Sequence, residues 1–181
     1  MIERAAMIAN LAIFACFAYA TYTHFDRDEP TPRGATFVTI AASGGTLANV
    51  AVWYAGARAP AAMALFAALL ELVSAFVFWA AIASAPKQQL SLSFSDRTPP
   101  ALVDSGIYAY IRNPLYTSYM IYWLSWVVLT RGHWVSGAFL VLMVGTYVVA
   151  ALREERLLAA RMGEAYRAYG ARVKRFVPWV Y

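Results

Sequence analysis

Five long apolar stretches, separated by short polar breaks, constrain this chain more than any other feature. They cover residues 5–22, 35–57, 61–83, 114–130 and 132–152. A helix needs roughly 20 residues to cross the hydrocarbon of a bilayer. Lipid offers backbone polar groups no partner, so a helix is the expected spanning form. The pattern predicts an all-α polytopic membrane protein with five transmembrane helices, built as a single domain over residues 1–181. The fourth stretch is slightly short, so its helix is expected to sit shallow at one end. Only Arg131-Gly132, flanked by Thr130 and His133, separates the last two, which predicts a tight helical hairpin. Ala18-Tyr19-Ala20 resembles a signal-peptide cleavage site, but the first stretch is read as a retained span. Composition agrees with a membrane chain: 61% of the residues are hydrophobic and 14% charged, against about half and about a quarter in soluble domains.

The basic residues set an orientation. With the N-terminus outside, the inside segments hold twelve of the fifteen lysines and arginines; only Arg4, Arg58 and Arg131 lie outside. That bias is what the positive-inside rule expects. It places the loop 84–113 and the tail 153–181 on one cytoplasmic face. The same segregation accounts for the net charge of +5 without nucleic acid as a partner. The loop from 84 to 100 carries Pro86, Pro99 and Pro100 and reads as a surface segment. A single cysteine, Cys16, excludes an intramolecular disulfide, and two distant histidines, His24 and His133, argue against a metal centre.

Two constellations could carry chemistry. The first runs Gly106-Ile107-Tyr108-Ala109-Tyr110-Ile111-Arg112-Asn113-Pro114-Leu115-Tyr116. Asn113 followed by Pro114 reads as an N-cap and first helical position. A helix N-terminus with Arg112 beside it suits a carboxylate or phosphate, and the tyrosines offer faces for a ring or a cation. The plainer reading is an interfacial belt of tyrosine and arginine. The second constellation is Arg153-Glu154-Glu155-Arg156 and the amphipathic stretch after it, expected to continue the fifth span as a cytoplasmic C-terminal helix. Here the plainer reading is that both glutamates pair with neighbouring arginines. A third feature is Glu71, near the middle of the third span. An acid there needs a polar cavity or a partner: either a substrate-binding contact or a structural bond to Asn49, Ser74 or a backbone group. Ser43-Gly44-Gly45 is expected to permit close helix packing.

In this order, the two constellations resemble a known family. Residues 106–116 resemble the G-x-Y-x-x-x-R-(H/N)-P-x-Y signature of the isoprenylcysteine carboxyl methyltransferase family. Glu154-Glu155-x-x-Leu158, Gly163-Glu164-x-Tyr166-x-x-Tyr169 and Val173-x-Arg175-Phe176-Val177-Pro178 resemble its later segments. The resemblance covers about residues 104–179. It implies an integral membrane methyltransferase that uses S-adenosylmethionine, with the cofactor held on the cytoplasmic face by the last two spans and the C-terminal segment. Phospholipid methyltransferases are similar in this region. Asn113 stands where eukaryotic members have histidine; that resembles bacterial members, implies a bacterial inner membrane, and removes one proton acceptor.

On that resemblance the cofactor-binding residues are Tyr108, Tyr110, Arg112, Asn113, Pro114, Tyr116, Glu154 and Glu155, and the catalytic ones Arg153 and Glu155. Arg112 and the free N–H groups after Asn113 are expected to hold the methionine carboxylate. The glutamates are expected to accept hydrogen bonds from the ribose or the α-amino group, the tyrosines to shape the adenosine and sulfonium pocket, and Arg153 to orient the acceptor. The acceptor is expected to be lipophilic and to enter from the bilayer, as a carboxylate or as another N-, S- or O-nucleophile. An NADPH-dependent membrane reductase and a non-enzymatic membrane module are the competing readings.

Overall fold

The computed structural model describes residues 1–25, 31–85, 90, 92–95 and 101–179. Arg27, Lys87 and Arg97 of the charge count, and Pro86, Pro99 and Pro100, lie outside the described residues. In chain order the elements are α1 (Ile2–His24), α2 (Arg33–Tyr54), α3 (Ala61–Ser84), a 3-10 turn (Gly106–Ala109), α4 (Pro114–Leu129), α5 (Trp134–Met162) and α6 (Glu164–Arg172). The fold is all-helical, with no strand among the described residues.

Four helices, α1, α2, α3 and α5, are long and apolar enough to cross a membrane. The fourth predicted span differs. Helix α4 has 16 residues, about 24 Å at 1.5 Å per residue, which is short of a hydrocarbon core of about 30 Å. Its length alone does not make a fifth crossing. The hairpin after it is tight, with Arg131 and Gly132 both at positive φ. Helix α5 runs through Met162 and breaks at Gly163, whose φ is +58°. The amphipathic segment thus continues the helix of the last stretch as far as Met162, as expected, and only its remainder is a separate helix, α6.

Small residues let the helices approach. Ala64, Ala67 and Ala81 of α3 have no exposed surface, and Ser74 Oγ donates to the Ser118 carbonyl of α4 at 2.7 Å. At Gly45 a Cβ would stand 2.6 Å from the Phe139 ring and 2.7 Å from Trp123, so only glycine lets α2 close on α5 there. Phe17, Phe78, Tyr119, Tyr122 and Tyr147 form an aromatic centre. Phe17 meets Phe78 at 4.5 Å and Tyr119 at 5.0 Å, and Tyr119 meets Tyr147 at 5.4 Å between ring centroids.

Glu71 has a partner that the sequence did not indicate. Asn10 of α1 donates from Nδ2 to Glu71 Oε1 at 3.1 Å and to Ser125 Oγ of α4 at 2.7 Å. Asn49 instead donates to the Gly45 carbonyl and accepts from Ser136 of α5. These bonds tie helices together across the bundle, where a stray polar group is costly.

Candidate functional site

The site lies where α1 and α3 end and α4 begins. Gly106 starts the 3-10 turn with φ +60°, and a Cβ there would stand 2.1 Å from Ser84 Oγ. Glycine thus seats the turn on the end of α3, where Ile107 N–H donates to Ser84 Oγ at 3.2 Å. From the other side, Tyr169 of α6 donates its hydroxyl to the Tyr108 carbonyl at 2.7 Å. The chain then runs beside the C-terminal segment as an isolated parallel bridge, Ile111 to Lys174. Arg112 N–H bonds the Lys174 carbonyl at 2.8 Å, and Asn113 N–H bonds the Arg175 carbonyl at 3.1 Å. The two sequence constellations are joined through backbone as well as side chains.

Their centre is Glu155, 8% exposed. Arg175 grips it with Nε to Oε1 at 2.9 Å and Nη2 to Oε2 at 3.0 Å. Arg112 Nη1 stands 3.2 Å from Oε2, and Asn113 Nδ2 donates to Oε1 at 2.8 Å. Asn113 occupies the N-cap position, with Pro114 at the start of α4, but its side chain makes no cap bond. It reaches sideways to the glutamate. Two guanidiniums hold this one carboxylate, and the buried Arg112 Nε has no hydrogen-bond partner among the described residues.

Glu154, one residue earlier, faces elsewhere. It accepts a hydrogen bond from the Tyr116 hydroxyl. A cavity of about 100 Å³ is lined by Glu154 with Tyr108, Arg112, Asn113, Pro114 and Tyr116. Phe25, Ser93, Leu115 and Tyr119 complete it. Burial, and then the charge of Glu154, hold the Tyr108 phenol well above its ordinary pKa, so it stays a neutral donor.

Not every expected residue reaches this cavity. Glu155 is fixed beside it, Tyr110 is 59% exposed, and Arg153 is exposed on the surface of α5, outside the lining. Glu71 lies in the bundle, bonded to Asn10. The residues missed are Arg175, Tyr119, Phe25 and Ser93. Arg175 was visible within the C-terminal motif, and Tyr119 follows Tyr116 by three residues, one helical turn. Phe25 and Ser93 carry no sequence signal and are brought in by tertiary packing.

A second cavity, of about 360 Å³, opens against the first. Its inner wall is Phe17, Ala35, Tyr122, Trp123 and Tyr147. At its mouth are Ala18 and Tyr22 of α1 and Thr39 of α2, all exposed on the outer surface of the helices. Phe25, Ser93 and Tyr119 line both cavities, so the two adjoin.

Comparison with known proteins bears on this arrangement. Residues 58–165 match the phospholipid methyltransferase family. Methanethiol S-methyltransferase 1 of Bradyrhizobium diazoefficiens is 32% identical over 84 residues, which are 46% of this chain and 28% of that protein. The chain thus aligns with less than a third of that relative's length. The family match takes in the Arg112-Asn113-Pro114 turn and both adjacent glutamates over more than half of the sequence; the chain belongs to the phospholipid methyltransferase family, a group related to the isoprenylcysteine carboxyl methyltransferases.

Proposed function

We propose that this protein transfers a methyl group from S-adenosylmethionine to a lipophilic acceptor that reaches the site from the bilayer. One observation carries the reading. A polar cavity lined by Arg112 and Glu154 adjoins a largely apolar cavity that opens between the exposed faces of α1 and α2, and both share Phe25, Ser93 and Tyr119. On this reading α4 completes a fifth crossing, the N-terminus is outside, and the site faces the cytoplasm of a bacterial cell.

The residues fit the polar end of such a donor. Arg112 lines the cavity, and its unpartnered Nε suits the donor's carboxylate. A cavity of about 100 Å³ takes one end of the donor and not the whole of it. When bound, S-adenosylmethionine supplies an electrophilic methyl carbon on a sulfonium. Glu155, Arg175 and Asn113 act by holding Arg112 in place. Tyr108 and Tyr116 give aromatic faces to the cavity and keep water from it. Glu154, held by the Tyr116 hydroxyl, is placed to take a proton from a neutral acceptor as that acceptor attacks. Much of the remaining rate comes from holding the two reactants in line. A thiol is the first acceptor to test, since the relative named above is a methanethiol S-methyltransferase.

The test uses purified protein in nanodiscs. S-adenosylhomocysteine is expected to raise its melting temperature, and Arg112→Gln to abolish that rise. Labelled donor is then expected to methylate an alkyl thiol. No stabilisation by S-adenosylhomocysteine, with stabilisation by NADPH instead, would overturn the reading in favour of a reductase.

A further inference from the structure

Helix α6 carries a glycine that its backbone does not call for. Gly170 lies inside the helix, and the glycines at positive φ are Gly56, Gly106, Gly132 and Gly163. Glycine within a helix costs stability relative to alanine, because the unfolded chain has more freedom to lose. The reason for it here is space. A Cβ at position 170 would meet Arg112 Nη1 at 3.0 Å and Cζ of the same guanidinium at 3.8 Å. The helix glycines Gly44, Gly137 and Gly145 would meet nothing within 4 Å, and Gly34 and Gly45 would meet aromatic rings. Among the described residues, Gly170 is the one glycine that borders a charged side chain.

Neither side of this contact can easily give way. Arg112 Nη1 also stands 3.2 Å from Glu155 Oε2, and the guanidinium donates to the Tyr166 hydroxyl. The Arg112 backbone is tied down by its N–H bond to the Lys174 carbonyl at 2.8 Å. Helix α6 is anchored as well. Tyr169 donates to the Tyr108 carbonyl at 2.7 Å, and Tyr166, Tyr169 and Val173 are buried against Leu102, Leu158 and Met162. Tyr166, Tyr169 and Gly170 stand at i, i+3 and i+4, which is one face of the helix. That face closes on the 3-10 turn and on Arg112, a residue lining the polar cavity.

Resting on the methyl-transfer reading above, we infer that Gly170 is a positioning residue for donor binding: its bare Cα sets how near α6 lies to Arg112, and so where the guanidinium stands in the cavity wall. A methyl group at 170 forces the guanidinium to shift by a few tenths of an ångström. The donor's carboxylate is held alike before and during transfer. Its loss therefore raises KM for the donor and leaves kcat nearly unchanged.

The test uses protein in nanodiscs with isotope-labelled arginine. The Arg112 Nε–H signal is identified by its disappearance in Arg112→Lys. Gly170→Ala is expected to move that signal with no donor present. It is also expected to weaken S-adenosylhomocysteine binding by about tenfold, since a misplacement near 1 Å can cost about 10²-fold. The melting temperature of the unliganded protein is expected to hold or rise, as alanine favours the helix. Gly145→Ala, a helix glycine with open space beside it, controls for that gain and is expected to change neither signal nor affinity. On an Arg112→Lys background, which removes the group the new methyl meets, Gly170→Ala is expected to cost no further affinity. An unmoved Arg112 signal, an unchanged affinity, or an equal further loss on the lysine background would overturn the inference. So would a melting temperature that falls equally on both backgrounds, which would place the strain elsewhere in α6. If the wild type bound no S-adenosylhomocysteine while Gly170→Ala still moved the Arg112 signal, the methyl-transfer reading would fall, and Gly170 would remain the residue that places Arg112.

Discussion

Glu155 and Glu71 are both withdrawn from water, 8% and 1% exposed, yet they are held in opposite ways. Glu155 is gripped by two guanidiniums and an amide. Glu71 has one amide nitrogen, and its Oε2, like Asn10 Oδ1, has no partner among the described residues. The first arrangement gives its carboxylate three partners and leaves the Nε of Arg112 without one beside a cavity. The second brings no charged group to its acid and borders neither cavity. A buried acid thus marks a ligand site only when its surroundings leave charge or space unspent. By that criterion the Glu155 cluster organises a site and the Glu71 contact joins α1, α3 and α4.

The largest expected effect comes from breaking the first cluster. Glu155→Ala leaves Arg112 and Arg175 facing each other, both mostly buried. Removing one partner of a buried ion pair costs about 3–5 kcal/mol. The expected outcome in thermal unfolding is a large loss of stability, with early release of the C-terminal segment to proteolysis. A loss under 1 kcal/mol would show that the arginines have other support.

The neighbouring residue sharpens the contrast. Glu154→Gln keeps an oxygen for the Tyr116 hydroxyl, so the fold and S-adenosylhomocysteine binding are expected to persist. With no carboxylate to accept a proton, turnover of a neutral thiol is expected to fall about 10²-fold, the low end of what a positioned base contributes. A rate that recovers as pH rises toward the thiol's own pKa would support the proton-acceptor role, because a thiolate needs no base. A fall that is equal at all pH values would place Glu154 in positioning alone.

These neighbours show where sequence reading stops. Four of the five expected spans were legible because apolar length reports directly on lipid, and the turn at Arg112-Asn113-Pro114 because proline at a helix start has a fixed geometry. The pairing of the two constellations followed from their order and shared charge. Which glutamate faces the cavity did not. Adjacent residues on a helix point about 100° apart, and the choice between them depends on how α5 is rotated against α4. Asn113 looked like a cap because its position suits one; its side chain serves the glutamate because Glu155 arrives from 42 residues away. The apolar chamber was invisible for a similar reason. Phe17, Val38 and Trp123 are ordinary span residues until three helices leave a gap between them.

A smaller effect is expected at the join between α6 and the 3-10 turn. Tyr169→Phe removes the bond to the Tyr108 carbonyl, worth about 1 kcal/mol. Burial first, then the neighbouring Tyr166 and Tyr108, raise the Tyr169 pKa above its ordinary value. A group whose pKa is raised on folding contributes stability that is complete below its unfolded pKa and is lost as pH rises through the folded one. Stability is therefore expected to fall above about pH 10, and Tyr169→Phe to flatten that fall. An unchanged alkaline slope would assign it to Tyr108 and Tyr166, which are shifted in the same direction.

The smallest effect belongs to the second acid. Glu71→Gln retains an oxygen for Asn10 Nδ2 and adds an N–H donor where both Glu71 Oε2 and Asn10 Oδ1 have no partner. The amide also removes any charge from the bundle. The expected change in stability is below about 1 kcal/mol and of either sign, with S-adenosylhomocysteine binding and thiol methylation both unaltered. Glu71→Leu, which discards the bond to Asn10 and leaves that amide buried with Ser125 alone, is expected to cost about 1–3 kcal/mol while still binding S-adenosylhomocysteine. If Glu71→Gln instead lost turnover with its stability intact, the carboxylate in the bundle would be part of the reaction. The contrast between an acid that organises a site and one that only joins helices would then fail at its second term.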